Sequence, residues 1–402
     1  MLPSSGAEAT IIQETSREIC VIRKIRPRDG WTWVYRDFRQ FIATVLPQGY
    51  TDCETGPGPT CLGSSQEPYN RRRASMTIFR DSPMPSAVSA RYRKPMPGMS
   101  IPDRLNGVLV VLVEGGAVGL LWLGSRFDSW PAALGVGIVF SYVLLTNYAL
   151  FHEAAHGNLH TNPRVNHLLG VITGTLFPMP FSMMRVTHQG HHLRNRTDHE
   201  MFDLYYPWDN RLVRYAQWYG ILLGLFWPWV PIGALLFSAC PAVLRTRVFQ
   251  RARSSRYLLG DIRWAEIRAI QAEVALILAI FFLLFWSLQL RWQSVLIMYA
   301  CFSFNWSTRQ YIGHAYSHRD VIEGAWNLRH NRVMTWILLH GEWDLNHHRH
   351  PEVPWYYLPR LSPPDEPRVS YLWQYFRQWL GPRPNTEPAP ESLLDLPLSV
   401  HQ

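Results

Sequence analysis

Sixteen histidines stand in the 402-residue sequence, and none precedes His152. Fifteen fall between His152 and His350, and His401 lies in the tail. They gather as His152, His156 and His160 in "HEAAHGNLH"; His188, His191 and His192 in "HQGHH"; His314 and His318 in "GHAYSH"; and His347, His348 and His350 in "NHHRHP". On a helix, a spacing of four stacks His152 over His156, with His160 rotated a little further, and separations of three and four turn all three rings of "HQGHH" to one side. Neutral imidazole is a ligand for iron, copper, nickel and zinc. One zinc takes about four ligands, fewer than these clusters offer, so two metals fit the count better.

"HEAAH" taken alone is the H-E-x-x-H of zinc metalloproteases, with Glu153 as general base. That chemistry needs one further ligand and gives no reason for "HQGHH". Otherwise Glu153 orients a histidine ring or pairs with an arginine at the lipid interface. A membrane metal-binding or transport protein is the non-enzymatic alternative. Transport calls for ligands along a path near the bilayer midplane, whereas these histidines cluster at the ends of apolar stretches.

Those stretches must carry the clusters. A helical span takes about 20 apolar residues, and four segments approach this: Asn106 to Gly124, Trp130 to Phe151, Ala269 to Leu288 and Trp292 to Thr308. The connectors "SRFDS" and "QLR" are long enough only for hairpins. Two further stretches, His167 to Met184 and Ala216 to Ala239, are broken by "FPMPF" and "WPWVP" and are expected to dip into the membrane and return. The expected fold is an all-α integral membrane protein with four transmembrane helices in two hairpins, two dipping segments and a cytoplasmic histidine-rich cap. The five arginines of "RTRVFQRARSSRY" fix the cytoplasmic side by the positive-inside rule. With two hairpins and two dips, the stretches starting at His152, His188, Arg245 and His314 emerge on that face. Glu114 lies inside the first span, as a site or as a carboxyl paired within the bundle. The "WPWVP" aromatics line a lipid tunnel or form an interfacial belt.

The net charge of +9 comes without a nucleic-acid module, so attraction to anionic headgroups is the simpler account. Five cysteines without C-x-x-C spacing indicate neither a disulfide framework nor a structural zinc site. No apolar h-region opens the sequence, so no signal peptide is expected. Residues 1–100 are expected to be a polar, poorly ordered extension, in which "WTWVYRDFRQFIATVL" makes a short amphipathic helix. The stretch 1–75 is read either as natural sequence or as an upstream extension before Met76. Residues 101–365 form the expected membrane catalytic domain, and 366–402 a polar, Pro-rich tail.

The ordered set "HEAAH", "HQGHH" and "DLNHH" resembles the three histidine boxes of the membrane fatty-acid desaturase superfamily, which includes acyl desaturases and the related carotenoid hydroxylases and ketolases. The resemblance runs from about Val110 to Leu361. It implies a non-haem di-iron centre of two iron ions that activates O2 and removes hydrogen from an unactivated C–H bond. Carried over, the implied ligands are His152, His156, His188, His191, His192, His347 and His348, with His314 as the family's extra upstream histidine. Gln310 stands where some members have an asparagine that holds a metal-bound water.

The sequence departs from the pattern at Asp344, where histidine or glutamine opens the third box. A carboxylate also ligates iron, so Asp344, His340 or His160 completes the set. His350 is expected in a structural or hydrogen-bonding role, with a part in the metal site as the alternative, and His318, His167, His199 and His330 are expected to be ordinary interfacial residues. Electrons must come from outside the chain, for no haem, flavin or dinucleotide motif is present; a ferredoxin, rubredoxin or cytochrome donor is implied. The context "RDVIEGAWNLR" and "NHHRHPEVPWYYLPRL" resembles bacterial acyl-lipid desaturases, which favours desaturation of a lipid acyl chain at a bacterial inner membrane. Hydroxylation or ketolation of a carotenoid is the alternative.

Overall fold

The computed structural model describes residues 10–15, 18–25, 32–34, 98–251, 259, 262 and 264–390. The chain forms two compact units, Met1–Ala74 and Ser75–Gln402. In the first, β1 (Thr10–Thr15), β2 (Glu18–Ile25) and β3 (Thr32–Val34) pair antiparallel in the order β1-β2-β3. The amphipathic helix expected over "WTWVYRDFRQFIATVL" lies outside the described residues, save Thr32–Val34, which are strand.

The second unit opens with α1 (Asp103–Gly124) and α2 (Trp130–His156). Pro131 in the first turn of α2 suits a helix start, and Gly157, at φ 79°, closes it in a left-handed cap. Next comes α3 (Pro163–Leu176), capped by Asn162 Oδ1 accepting from Arg164 N, and then α4 (Phe181–Arg194). Pro178 and Pro180 separate α3 from α4, which meet at a 96° bend. After β4 (Leu204–Tyr205) come α5 (Arg211–Leu222), α6 (Trp229–Ala239) and α7 (Arg247–Arg251). The second hairpin is α8 (Trp264–Leu288) and α9 (Trp292–Ser307). The cap follows with β5 (Leu328–Arg329), α10 (Arg332–Ile337), α11 (Asp344–Arg349), β6 (Val369–Ser370), α12 (Tyr371–Arg377) and β7 (Arg383–Pro384).

Both hairpin turns meet at one end: Arg291 N donates to Ser125 Oγ at 3.1 Å, and Arg126 Nη2 to Leu288 O at 3.2 Å. At the other end Asn106, near the start of α1, donates to Leu159 O at 2.9 Å, just past the end of α2. The core runs along α2 and α9. A Cβ on Gly137 would come within 3.1 Å of Met298 Cα, so glycine there lets the two backbones approach closely. Outward, Val111, Leu112, Phe282 and Trp286 are exposed, as lipid-facing side chains are.

Among the described residues, three helices are long and apolar enough to cross a membrane: Asp103–Gly124, Trp130–His156 and Glu266–Leu288. The bent pair α3 and α4 raises this to four if it counts as one span. The expected fourth span, Trp292 to Thr308, is a 16-residue helix, about 24 Å at 1.5 Å per residue and so shorter than a hydrocarbon core of about 30 Å. Chain beyond Ser307 leaves the helix for turns that carry site residues. The first expected dip corresponds to α3 and α4, and the second to α5 and α6 as separate helices.

The fold is mostly helical, not all-α, because two-residue parallel pairings, β4 with β7 and β5 with β6, tie the C-terminal segment to the cap. That segment includes residues expected as a polar tail. Gln374 and Gln378 are buried in it and donate to the carbonyls of Ala315 and Thr308. Of the arginine-rich loop, Arg253 and Arg256 lie outside the described residues.

Candidate metal centre

The end of α2, the second half of α4, the turns after α9 and the one-and-a-half turns of α11 converge at one end of the bundle. Two groups of ring nitrogens result, each mutually within 4.8 Å: His152, His156, His188, His192 and His347 in one; His191, His314 and His348 in the other. In the larger group, His156 Nε2 is 2.7 Å from His188 Nε2, and His192 Nε2 lies 3.1 Å from both His188 Nε2 and His347 Nε2. Two nitrogens at about 2.1 Å from a shared ion and at right angles to each other would stand about 3 Å apart. The donor set therefore fits a metal ion.

Burial, with the neighbouring imidazoles adding to it, holds the His347 and His348 rings well below the usual imidazole range, and His314 is lowered by the same leading cause. A ring kept neutral keeps its lone pair for a metal. Asp344 stands beside the smaller group, with Oδ2 3.1 Å from His314 Nε2 and Oδ1 3.9 Å from His348 Nε2. A side chain on Gly313 would collide with the Asp344 carboxylate, so glycine there admits it.

The remaining candidates divide. Glu153 is buried, accepts from Trp355 N at 3.0 Å and lies 3.7 Å from His152 Nδ1, the position of a group that orients a ring. Gln310 lines the cavity beside the histidines, with its Nε2 buried and without a hydrogen-bond partner among the described residues. His160 turns to Asp103, at 3.8 Å, and accepts from Asn162 N; His340 stacks on Trp355; His350 lies 3.8 Å from Glu352. None of these three joins either group. His167 approaches Glu273, His330 packs on Tyr371 at 4.2 Å, and His318 is exposed.

A fatty acid desaturase family model matches residues 128–379. The chain belongs to the fatty acid desaturase family. It is 31% identical over 113 residues to an sn-1 oleoyl-lipid 12-desaturase of Arthrospira platensis, covering 28% of this chain and 31% of that protein. It is 22% identical over 123 residues to an sn-1 acyl-lipid omega-3 desaturase (ferredoxin) of Synechocystis sp., covering 31% and 34%. The chain thus spans about a third of the length of the curated relatives it matches. The family is metal-dependent, and the apolar helices of spanning length fit a membrane protein.

Members of both histidine groups, His152, His188 and His347 of the larger and all three of the smaller, wall a cavity of about 430 Å³. Its apolar lining includes Leu145, Tyr148, Phe177, Met179, Phe226 and Trp229. Of the "WPWVP" aromatics, Trp229 is thus both exposed and cavity-lining, while Trp227 stacks on Tyr299 in the core.

Sequence reasoning missed the buried acids and base behind the rings. Glu200 Oε2 lies 2.6 Å from His191 Nδ1. Arg196, fully buried, donates to Asp203 Oδ1 at 2.6 Å, Tyr311 Oη at 2.9 Å and Ser317 O at 2.9 Å, and Tyr311 donates to Glu200 O at 2.5 Å. The signal was "NRTDHEMFD", a charged run directly after a histidine box, which reads as a solvated loop until its partners at 311–317 are known. Glu114, in α1, accepts from Asn147 Nδ2 of α2, a pairing within the bundle, which was one of its two readings.

Proposed function

We propose that this protein is an O2-dependent di-iron desaturase that introduces a double bond into the acyl chain of a membrane lipid. The observation that carries the reading is one cavity walled both by six of the eight clustered histidines, drawn from both groups, and by apolar side chains. His152, His156, His188, His192 and His347 would hold one iron, and His191, His314 and His348, with Asp344, the other. The bound metals supply the redox chemistry with O2. Removing two hydrogens from adjacent carbons, with two electrons and two protons from a donor, reduces one O2 to two waters. A ferredoxin-type donor is favoured by the Synechocystis relative's name, and the active site is assigned to the cytoplasmic face of a bacterial inner membrane.

This chain's own residues do the rest. Phe177, Met179 and Trp229 exclude water from the methylenes. Glu200 and Glu153 fix the rings of His191 and His152. The protease reading gives no role to the rings of His188, His192 and His347 grouped with His152 and His156. Hydroxylation shares the first hydrogen abstraction and is the second reading, for a carotenoid or another lipid. Lipid and pigment extracts from cells expressing the protein or His188→Ala decide: a new double bond lost in the variant supports desaturation, whereas a hydroxylated or keto carotenoid overturns it.

A further inference from the structure

The segment after residue 366 carries a helix whose two sides are reversed from those of a water-facing helix. α12 and the short 3-10 turn after it run from Tyr371 to Leu380. Tyr371, Gln374 and Gln378 face inward and are buried. The two glutamines donate to the carbonyls of Ala315 and Thr308, and Tyr371 Oη accepts from Arg309 at 3.3 Å. Leu372, Trp373, Phe376 and Leu380 face the other way, each at least 60% exposed. At about 100° per residue these four fall within an arc of about 100°. Polar side chains point into the protein and apolar ones out of it.

The level of this face along the bundle says what covers it. α9, with 16 residues, is about 6 Å shorter than a hydrocarbon core of about 30 Å. α12 lies at that short end: Arg309, just beyond α9, donates to Asn305 Oδ1 at 2.7 Å and lies over the rings of Tyr371 and Tyr375. α10 reaches the same region, where Ile337 O accepts from Thr146 Oγ1 at 2.9 Å. Thr146 is about 24 Å along α2 from the hairpin turn, still within the hydrocarbon thickness. Val333 and Trp336 of α10 are exposed as well.

The apolar surface is continuous with the outer stripe of α9, which exposes Trp292, Leu296 and Phe304. A Cβ on Gly224 would meet Phe304 Cα at 2.9 Å, and Leu223 and Leu225 on either side of that glycine are exposed. From there α5 leads to α12, with Trp218 Nε1 donating to Gln378 O at 2.8 Å and Tyr219 Oη to Trp379 O at 3.0 Å. The rim is cationic. Arg329 pairs in register with Ser370, and Arg329 and Arg332 are exposed beside α10, which suits anionic headgroups, as tryptophan suits the membrane boundary.

We propose that the outer faces of α12 and α10 are embedded in the boundary between headgroups and acyl chains of one leaflet, completing the lipid-facing surface where α9 stops short. A water-soluble partner would have to reach below the headgroups to cover them. Tyr371 lines the cavity, so α12 has the cavity on one side and lipid on the other. This rests on the membrane placement of α1 and α2 and not on the reaction proposed above.

The test uses full-length, metal-loaded protein with its five native cysteines replaced by alanine, in vesicles of dioleoyl phosphatidylcholine and phosphatidylglycerol. A bimane label is placed at Trp373→Cys or Phe376→Cys, with Leu112→Cys on the outer side of α1 as the lipid control and Asp365→Cys as the water control. Dibrominated acyl chains are expected to quench the labels at 373 and 376 as they do at 112. Aqueous iodide should quench them at least about fivefold less than at 365, as for side chains about 5–10 Å into the boundary. Iodide quenching equal to that at 365 overturns the proposal. So does a label that neither quencher reaches, which would mean that a second copy covers the face. A label at 112 outside lipid would sink the membrane placement and this inference together; lipid contact at 112 without it at 376 would sink the inference alone. Metal content and elution profile confirm folding. Should the cysteine-free background fail there, brominated-lipid quenching of intrinsic fluorescence is compared between wild type and Trp373→Phe, and an unchanged quenched fraction overturns the proposal.

Discussion

Glu200 and Asp344 give the two histidine groups different surroundings. The larger group has Glu153 3.7 Å from His152, whereas the smaller has two closer carboxylates, Asp344 3.1 Å from His314 and Glu200 2.6 Å from His191. A carboxylate that accepts from a ligating ring orients it and raises its basicity, and its loss costs about 10- to 100-fold in metal affinity. Glu200→Gln is therefore expected to release metal at a correspondingly lower chelator concentration; unchanged retention would remove Glu200 from this role. Acid acts on the same rings. His314, His347 and His348 are held below the ordinary imidazole value of 6.5, burial being the leading cause. Below about pH 6.5 the unfolded chain takes up protons that these folded rings refuse, so stability falls with pH, by up to about 1.4 kcal/mol per ring per pH unit. The thermal midpoint of metal-stripped protein should drop between pH 7 and pH 5.5, and a flat profile would contradict buried neutral rings.

The position of α4, which carries three of the eight clustered histidines, depends on a carboxylate in another helix. Glu273 of α8 accepts from Ser182 N at 2.8 Å and Ser182 Oγ at 2.7 Å, at the first turn of α4. An acid there satisfies a free helix N–H and suits the positive end of the helix dipole. Glu273→Ala leaves these donors buried and should cost about 2–3 kcal/mol. A lowered thermal midpoint with reduced metal content is the expected result; a lowered midpoint with full metal content would mean that α8 does not position α4. The proline break before α4 was legible in "FPMPF", but the 96° bend and the helix holding it were not.

At the scale of the whole molecule, the eight clustered rings come from segments that start at His152, His188, His314 and His347, and one centre would cross-link them all. Ligand binding to the folded state alone stabilises it by mass action. Chelation should lower the thermal midpoint and iron should restore it; an unchanged midpoint would mean that the rings do not share metal. The sequence by itself determined the apolar stretches, the proline breaks and the histidine clusters, because helix periodicity and ligand spacing are local and need only a few neighbouring residues to be read, while the choice of eight among the histidines came from the resemblance. It left open which further candidates join the rings, that the helix beginning at Trp292 stops after 16 residues, and that the segment after residue 366 pairs with the cap. Only the tertiary structure turned His160, His340 and His350 aside, brought Asp344 against His314, set Glu200 behind His191 and seated α12 against Arg309. Those contacts join residues far apart in the chain, and burial and pairing at such distances are properties of the packed molecule that no local pattern encodes.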